Sequence, residues 1–231
     1  MYFLEPILLF IIFSIFTNLV SPNYDTIKLT NILVRGSHGI GCIYYILPII
    51  HMNNYSISII EYDNDYNDIL YIINRSISYF LWDIFALLIE EEKEKKTYIG
   101  HHILTILGIY SGSICLDNCY NIIVGLIIGE ITNPIHQTID ILKVIRYRVI
   151  SIELLYLLSF TLIRGIIGSY ALITISSNVH KLNTINLSCM YSYFINIMIY
   201  ILLIPLSFNW SYRQYNSITK YLKNRYKYPL K

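Results

Sequence analysis

Apolar runs long enough to cross a bilayer recur along this chain, and they limit its possible folds more than any other feature. At 1.5 Å of rise per residue, about 20 apolar residues cover roughly 30 Å of hydrocarbon. Such runs fall at residues 2–20, 32–50, 70–89, 99–116, 120–142, 150–175 and 187–208. Backbone polar groups in hydrocarbon must be satisfied within their own segment, so the expected fold is an all-α integral membrane protein with about seven transmembrane helices. The composition agrees. Of 231 residues, 55% are hydrophobic and 14% charged, and the mean hydropathy is +0.51, more apolar surface than a water-facing fold of this size could hide.

The first run lacks a basic leading segment and carries Glu5, so it reads as a retained span rather than a signal peptide. When the loops are assigned alternately, the basic residues separate. Lys28 and Arg35, then Lys93, Lys95 and Lys96, then Lys143, Arg146 and Arg148 share one side with the tail, which holds Arg213, Lys220, Lys223, Arg225, Lys227 and Lys231. Only Lys181 falls on the other side. The positive-inside rule therefore predicts a cytosolic C-terminus and a lumenal N-terminus. A net charge of +2 gives no reason to expect a nucleic-acid partner.

Several features carry bland readings. Glu61, Asp63, Asp65 and Asp68 form an acidic stretch expected to be a solvated lumenal face rather than a metal site. The Asn54-Tyr55-Ser56 and Asn186-Leu187-Ser188 triplets fit the glycosylation pattern on that side. Cys115, Cys119 and Cys189 fall near lumenal helix ends, where a bridge can form, and Cys119 with Cys189 is one candidate pairing. Cys42 is expected buried in a span. Tyr110, Tyr120, Tyr147 and Trp210 read as interfacial anchors.

Ionisable groups in hydrocarbon cost about 2.5–3.5 kcal/mol each, which makes their positions informative. Within the runs lie His38, Arg75, Asp83, His101, His102, Glu130, His136, Asp140, Glu153 and Arg164. With the topology above, His38, Asp83, the His101–His102 pair, His136 and Asp140 fall toward the cytosolic side, and Glu130 and Arg164 nearer mid-membrane. Each histidine could be a neutral hydrogen-bonder between helices. The alternative is a polar chamber open to the cytosolic leaflet, where histidine acts as base, nucleophile or donor and carboxylates orient it.

At these residues the chain resembles the TLC-domain family, which includes the ceramide synthases and smaller membrane proteins linked to lipid composition. Ser78, Tyr79, Phe80, Leu81, Trp82 and Asp83, followed by Gly100, His101, His102, Ile103, Leu104 and Thr105, look like the family's "gYF-x-x-D" and "HH-x-x-T" segments. Ser37 with His38, Glu130 with Pro134, Phe160 with Arg164, and Asn209 with Trp210 match in order. The resemblance implies six helices in a TLC-type barrel around a lipid-accessible cavity, at residues 25–212. The first helix, residues 1–24, would lie outside the barrel, and residues 213–231 would form a basic cytosolic tail.

In ceramide synthases a histidine pair and an H-D-x-x-D segment are tied to N-acyl transfer. Here that segment reads His136, Gln137, Thr138, Ile139, Asp140, and Gln137 cannot ionise. Glu130 with Pro134 is closer to the smaller, non-synthase members. The implied function is lipid handling: binding or regulating membrane lipid composition, with His38, Asp83, Glu130, Gln137 and Arg164 lining the cavity. The alternative is an acyl-CoA-dependent N-acyltransferase with His101, His102, His136 and Asp140 catalytic and acyl-CoA as co-substrate. Neither reading calls for a resident cofactor or metal, and in both the partners are membrane lipids, in the endoplasmic reticulum or a related endomembrane. A transporter or channel is a third possibility, because buried carboxylates also mark ion paths. A retinal protein is set aside, since residues 187–208 contain no lysine for a Schiff base.

Overall fold

A computed structural model of the chain describes residues 4–21, 24–52, 66–90, 94–178 and 187–227. Glu61, Asp63, Asp65, the Asn54 triplet, Asn186, Lys93 and Lys181 lie outside these residues. The described elements are all helical: α1 (Glu5–Val20), α2 (Thr26–Met52), α3 (Tyr66–Ile89), α4 (Lys95–Ser113), α5 (Leu116–Glu130), α6 (Asn133–Val144), α7 (Ile150–Phe160), a π-helical segment (Thr161–Ile167), α8 (Gly168–Asn178) and α9 (Leu187–Lys227). Five stretches are long and apolar enough to cross a membrane: Thr26–Ile49, Asp68–Ile89, Asn121–Val144, Ile150–Ser177 and Leu187–Asn224. Glu5–Val20 is a shorter apolar helix, and α4, which carries the histidine pair, is less apolar than those five.

The helices close a ring. α2 packs on α3, α3 on α4, α4 on α9, α9 on α7 and α8, α7 on α6, and α6 back on α2. α5, which forms one span with α6, touches α2, α4 and α8, and an apolar core including Ile46, Ile69, Ile73, Phe80 and Ile123 fills the end of the ring that it occupies. The other end is left open by the shorter α6 and the polar faces of α3 and α4. α1 packs against α2 and α3.

Local chemistry sets the breaks. Asp25 accepts the Lys28 backbone N–H at 3.0 Å and starts α2. Lys28 and Arg35, read from sequence as loop charges, therefore lie inside a helix. The fifth run divides at Ile131–Thr132, where Pro134 in the first turn of α6 has no N–H to continue the α5 ladder. The segment assigned to the tail continues α9 as far as Lys227. There Arg148 holds Glu153 through two bonds of 2.7 Å and reaches Ser217 at 3.3 Å, tying α7 to the end of α9. Cys189 is bridged to Cys115, not to Cys119, with Cα atoms 4.9 Å apart, and Cys42 is free and buried.

α1 is held by polar contacts within its apolar packing. Arg75 Nε donates to Glu5 Oε1 at 2.7 Å, and Thr17 and Thr30 hydroxyls pair at 2.9 Å. The Arg75 guanidinium occupies the space a Cβ would take at Gly41. Glu5→Gln is expected to lower stability by about 1.5–3 kcal/mol, the value of a hydrogen bond to a charged group. Thermal unfolding in detergent measures the loss, and an unchanged midpoint would show that α1 docks on apolar contact alone.

Candidate functional site

The open end of the barrel holds a cavity of about 980 Å³, walled by α2, α3, α4, α6, α7, the π-helical segment and α9. Of the residues singled out from sequence, Asp83, His101, His102, Glu130, His136, Gln137, Asp140 and Arg164 line it. His38 is set back from the wall, stacked at 3.6 Å on Tyr79, with Nε2 3.3 Å from Cys42 Sγ and 3.9 Å from Glu130.

The tightest constellation joins α2, α3 and α4. Arg35 Nε donates to Asp83 Oδ1 at 2.7 Å, and His102 Nε2 lies 2.8 Å from Asp83 Oδ2. A carboxylate only accepts, so Nε2 carries the hydrogen, and in the neutral form of the imidazole Nδ1 is then the lone-pair nitrogen. That Nδ1 is buried without a hydrogen-bond partner. Arg35 also reaches Glu90 at 3.2 Å, and Glu90 accepts from Asn31. The spacing follows from the helices: Asp83 lies one turn and a half before the end of α3, and α4 returns antiparallel beside it.

The carboxylate that orients His102 is thus Asp83, not Asp140. Asp140 sits on α6, bound to Lys143 at 2.8 Å and 3.7 Å from His136 Nδ1. His136 stacks on Tyr156 with ring centroids 5.0 Å apart. Gln137 is buried against Gly36, its Nε2 lies 3.4 Å from His136 Nδ1, and its Oε1 has no partner. The two histidine–carboxylate pairs stand on different walls of one cavity.

Arg164 is 8% exposed and projects from the π-helical segment, where the wider turn carries it inward between α5 and α6. It donates to Gly129 O and, at 2.9 Å, to Asn133 Oδ1, while its Nε has no partner. Asn133 in turn donates to buried Glu130 at 2.6 Å. Sequence reading missed Arg35 as a site residue and assigned Trp210 to the interface. In the structure Trp210 stacks on Tyr98 and meets His101 edge-on, each at 5.5 Å, on the cavity wall. The signal lay in its Asn-Trp match after the last run.

Beneath the polar cavity an apolar groove continues between α4, α5, α8 and α9. His101, Glu130 and Arg164 line both spaces and form their junction. Buried donors and acceptors without partners, at His101 Nδ1, His102 Nδ1, Gln137 Oε1, Arg164 Nε and Trp210 Nε1, gather around the cavity. Such atoms are costly unless something meets them. A family model described as TLC domain matches residues 28–214. No curated protein matches the chain.

Proposed function

The chain belongs to the TLC-domain family of multi-pass membrane proteins, a family linked to lipid biology, and from that premise we propose that its cavity binds an acyl-chain lipid. The polar end of the lipid meets the unpartnered donors and acceptors, and its chain enters the apolar groove. The observation that carries this reading is the shared junction at His101, Glu130 and Arg164, where a polar space opens directly into an apolar one. Through that contact the protein handles or regulates membrane lipid composition. The basic residues near the cavity mouth and the Cys115–Cys189 bridge lie toward opposite ends of the barrel. That separation supports a cytosolic mouth and a lumenal bridge in an endomembrane such as the endoplasmic reticulum.

Mass spectrometry of the purified protein is expected to find a co-purifying lipid. Arg164→Gln, which keeps hydrogen bonding but removes the charge, should lower its occupancy about tenfold or more. Equal lipid content in both proteins would set the reading aside.

A second reading, acyl-CoA-dependent N-acyl transfer, is favoured by the His102–Asp83 pair. His102 Nδ1 would take the proton of the attacking amine as its nitrogen bonds to the thioester carbonyl carbon, and would pass that proton to the CoA thiolate as the C–S bond breaks. Gln137, standing where synthases carry an aspartate, argues against it. In yeast lacking its own ceramide synthases, new ceramide that vanishes in His102→Ala would establish the enzyme. Transfer gained only in Gln137→Asp would show a barrel that has lost it.

A further inference from the structure

Six cationic side chains line the cavity: Lys28, Arg35, Lys143, Arg146, Arg164 and Arg213. Four have protein partners. Arg35, Lys143 and Arg213 pair with Asp83, Asp140 and Glu94, and Arg164 is bound to Gly129 O and Asn133. The side chains of Lys28 and Arg146 have none among the described residues, and both are exposed at the mouth. Asp25 is turned back as the cap of α2, its Oδ1 accepting the Lys28 backbone N–H at 3.0 Å.

Helix register brings the two free cations together. α2 and α6 run antiparallel: a Cβ at Gly39 would stand 3.2 Å from Asn133 and 3.1 Å from Pro134, and one at Gly36 would stand 3.6 Å from Gln137. Carried on to the end of α6, this register sets Lys28 level with the Ile145–Arg146 turn. Arg146 closes α6 in a Schellman arrangement, with its own N–H on Lys143 O at 3.0 Å and the Tyr147 N–H on Leu142 O at 2.8 Å. Its φ of 58° is the one positive value among the described residues. Glycine is the usual residue there, since a Cβ crowds the following carbonyl in that conformation. Such an outlier on the wall of a cavity points to a task for the side chain that it carries.

We propose that Lys28 and Arg146 form a phosphate site at the mouth, so that the lipid held in the chamber carries a phosphate in its headgroup. The proposal rests on the lipid-binding reading of the chamber. Two cations match a phosphomonoester, which carries about −1.5 to −2 at neutral pH, better than a singly charged diester. The planar guanidinium can give two parallel N–H bonds to two phosphate oxygens, and the ammonium adds a point charge. Asp83, Asp140 and Glu94 are already answered by Arg35, Lys143 and Arg213, so they leave the charge of this pair uncancelled.

Lipids sharing one fluorescent acyl chain, titrated into the purified full chain in nonionic detergent, read the headgroup profile. The wild type is expected to bind phosphatidic acid about tenfold more tightly than phosphatidylcholine or diacylglycerol, a gap that narrows as salt is added. Arg146→Gly, which supplies the residue that the backbone favours, should remove most of that preference without weakening diacylglycerol or lowering the unfolding midpoint. Lys28→Gln should do the same, and Lys220→Gln, exposed on α9 and away from the cavity, should not. Equal loss in Lys220→Gln would mean attraction to overall charge and would overturn the site. Free coenzyme A, which carries phosphates without an acyl chain, should fail to displace phosphatidic acid at equal concentration. Displacement would overturn the lipid source and assign the two cations to a soluble thioester partner. If phosphatidic acid and diacylglycerol bind alike, and both weaken in Arg164→Gln, the phosphate site falls and the chamber reading stands. No binding of any lipid in any variant would overturn both.

Discussion

Asp83→Ala is expected to destabilise the protein by about 3–5 kcal/mol, the range for breaking a buried ion pair by removing one partner. Asp83 is almost fully buried and answers two groups at once, the Arg35 guanidinium at 2.7 Å and the His102 imidazole at 2.8 Å. Without it Arg35 keeps only the longer contact to Glu90, and nothing fixes the His102 tautomer. Asp83→Asn should recover part of the stability, because an amide oxygen still accepts from Arg35. It can also turn its NH₂ toward Nε2 and move the imidazole hydrogen to Nδ1. Thermal unfolding in lipid nanodiscs resolves the two variants, and equal stability of wild type and Asp83→Ala would mean that the pair is not formed.

Removing the Cys115–Cys189 bridge is expected to cost about 2–4 kcal/mol, since it closes a loop with a sequence separation of 74 residues. It ties the end of α4 to the start of α9, beside buried Tyr193 and Ile175. The paired Cys115→Ser and Cys189→Ser variant should unfold at a lower temperature, and reductant should bring the wild type down to match it. Cys119→Ser is the control. If that change alone removes the non-reducing gel shift, the bridge runs through Cys119 instead.

The apolar runs and the segments around the histidine pair made the class, the family and most wall residues legible in sequence. The run limits were set by hydropathy, which cannot see a cap. Asp25 starts α2 ahead of the apolar run, and so Lys28 passed for a loop charge, while Arg35 was grouped with it because it stands only four residues into the run. Its partner Asp83 is 48 residues away, and no local pattern connects them. Asp140 stood as the orienting carboxylate of the acyltransferase alternative because His136 to Asp140 resembles the H-D-x-x-D segment of ceramide synthases. That pairing does form, but the histidine it serves is His136. The Cys115 pairing depended on where α4 ended and α5 began, a boundary that hydropathy placed only to within a turn.

The π-helical segment also explains the outer surface. Leu154, Leu158, Leu162, Ile166 and Tyr170 are all exposed, and each stands four residues after the last. On an unbroken α-helix a four-residue repeat drifts by about 40° per step, so this lipid-facing row would wind nearly halfway around the helix. The wide turn at Thr161–Ile167 takes up part of that drift and keeps the row turned toward lipid. The insertion that aims Arg164 inward thus sets the phase of the outside as well. Deleting one residue there would rotate α8 by about 100° and turn its greasy side toward the groove.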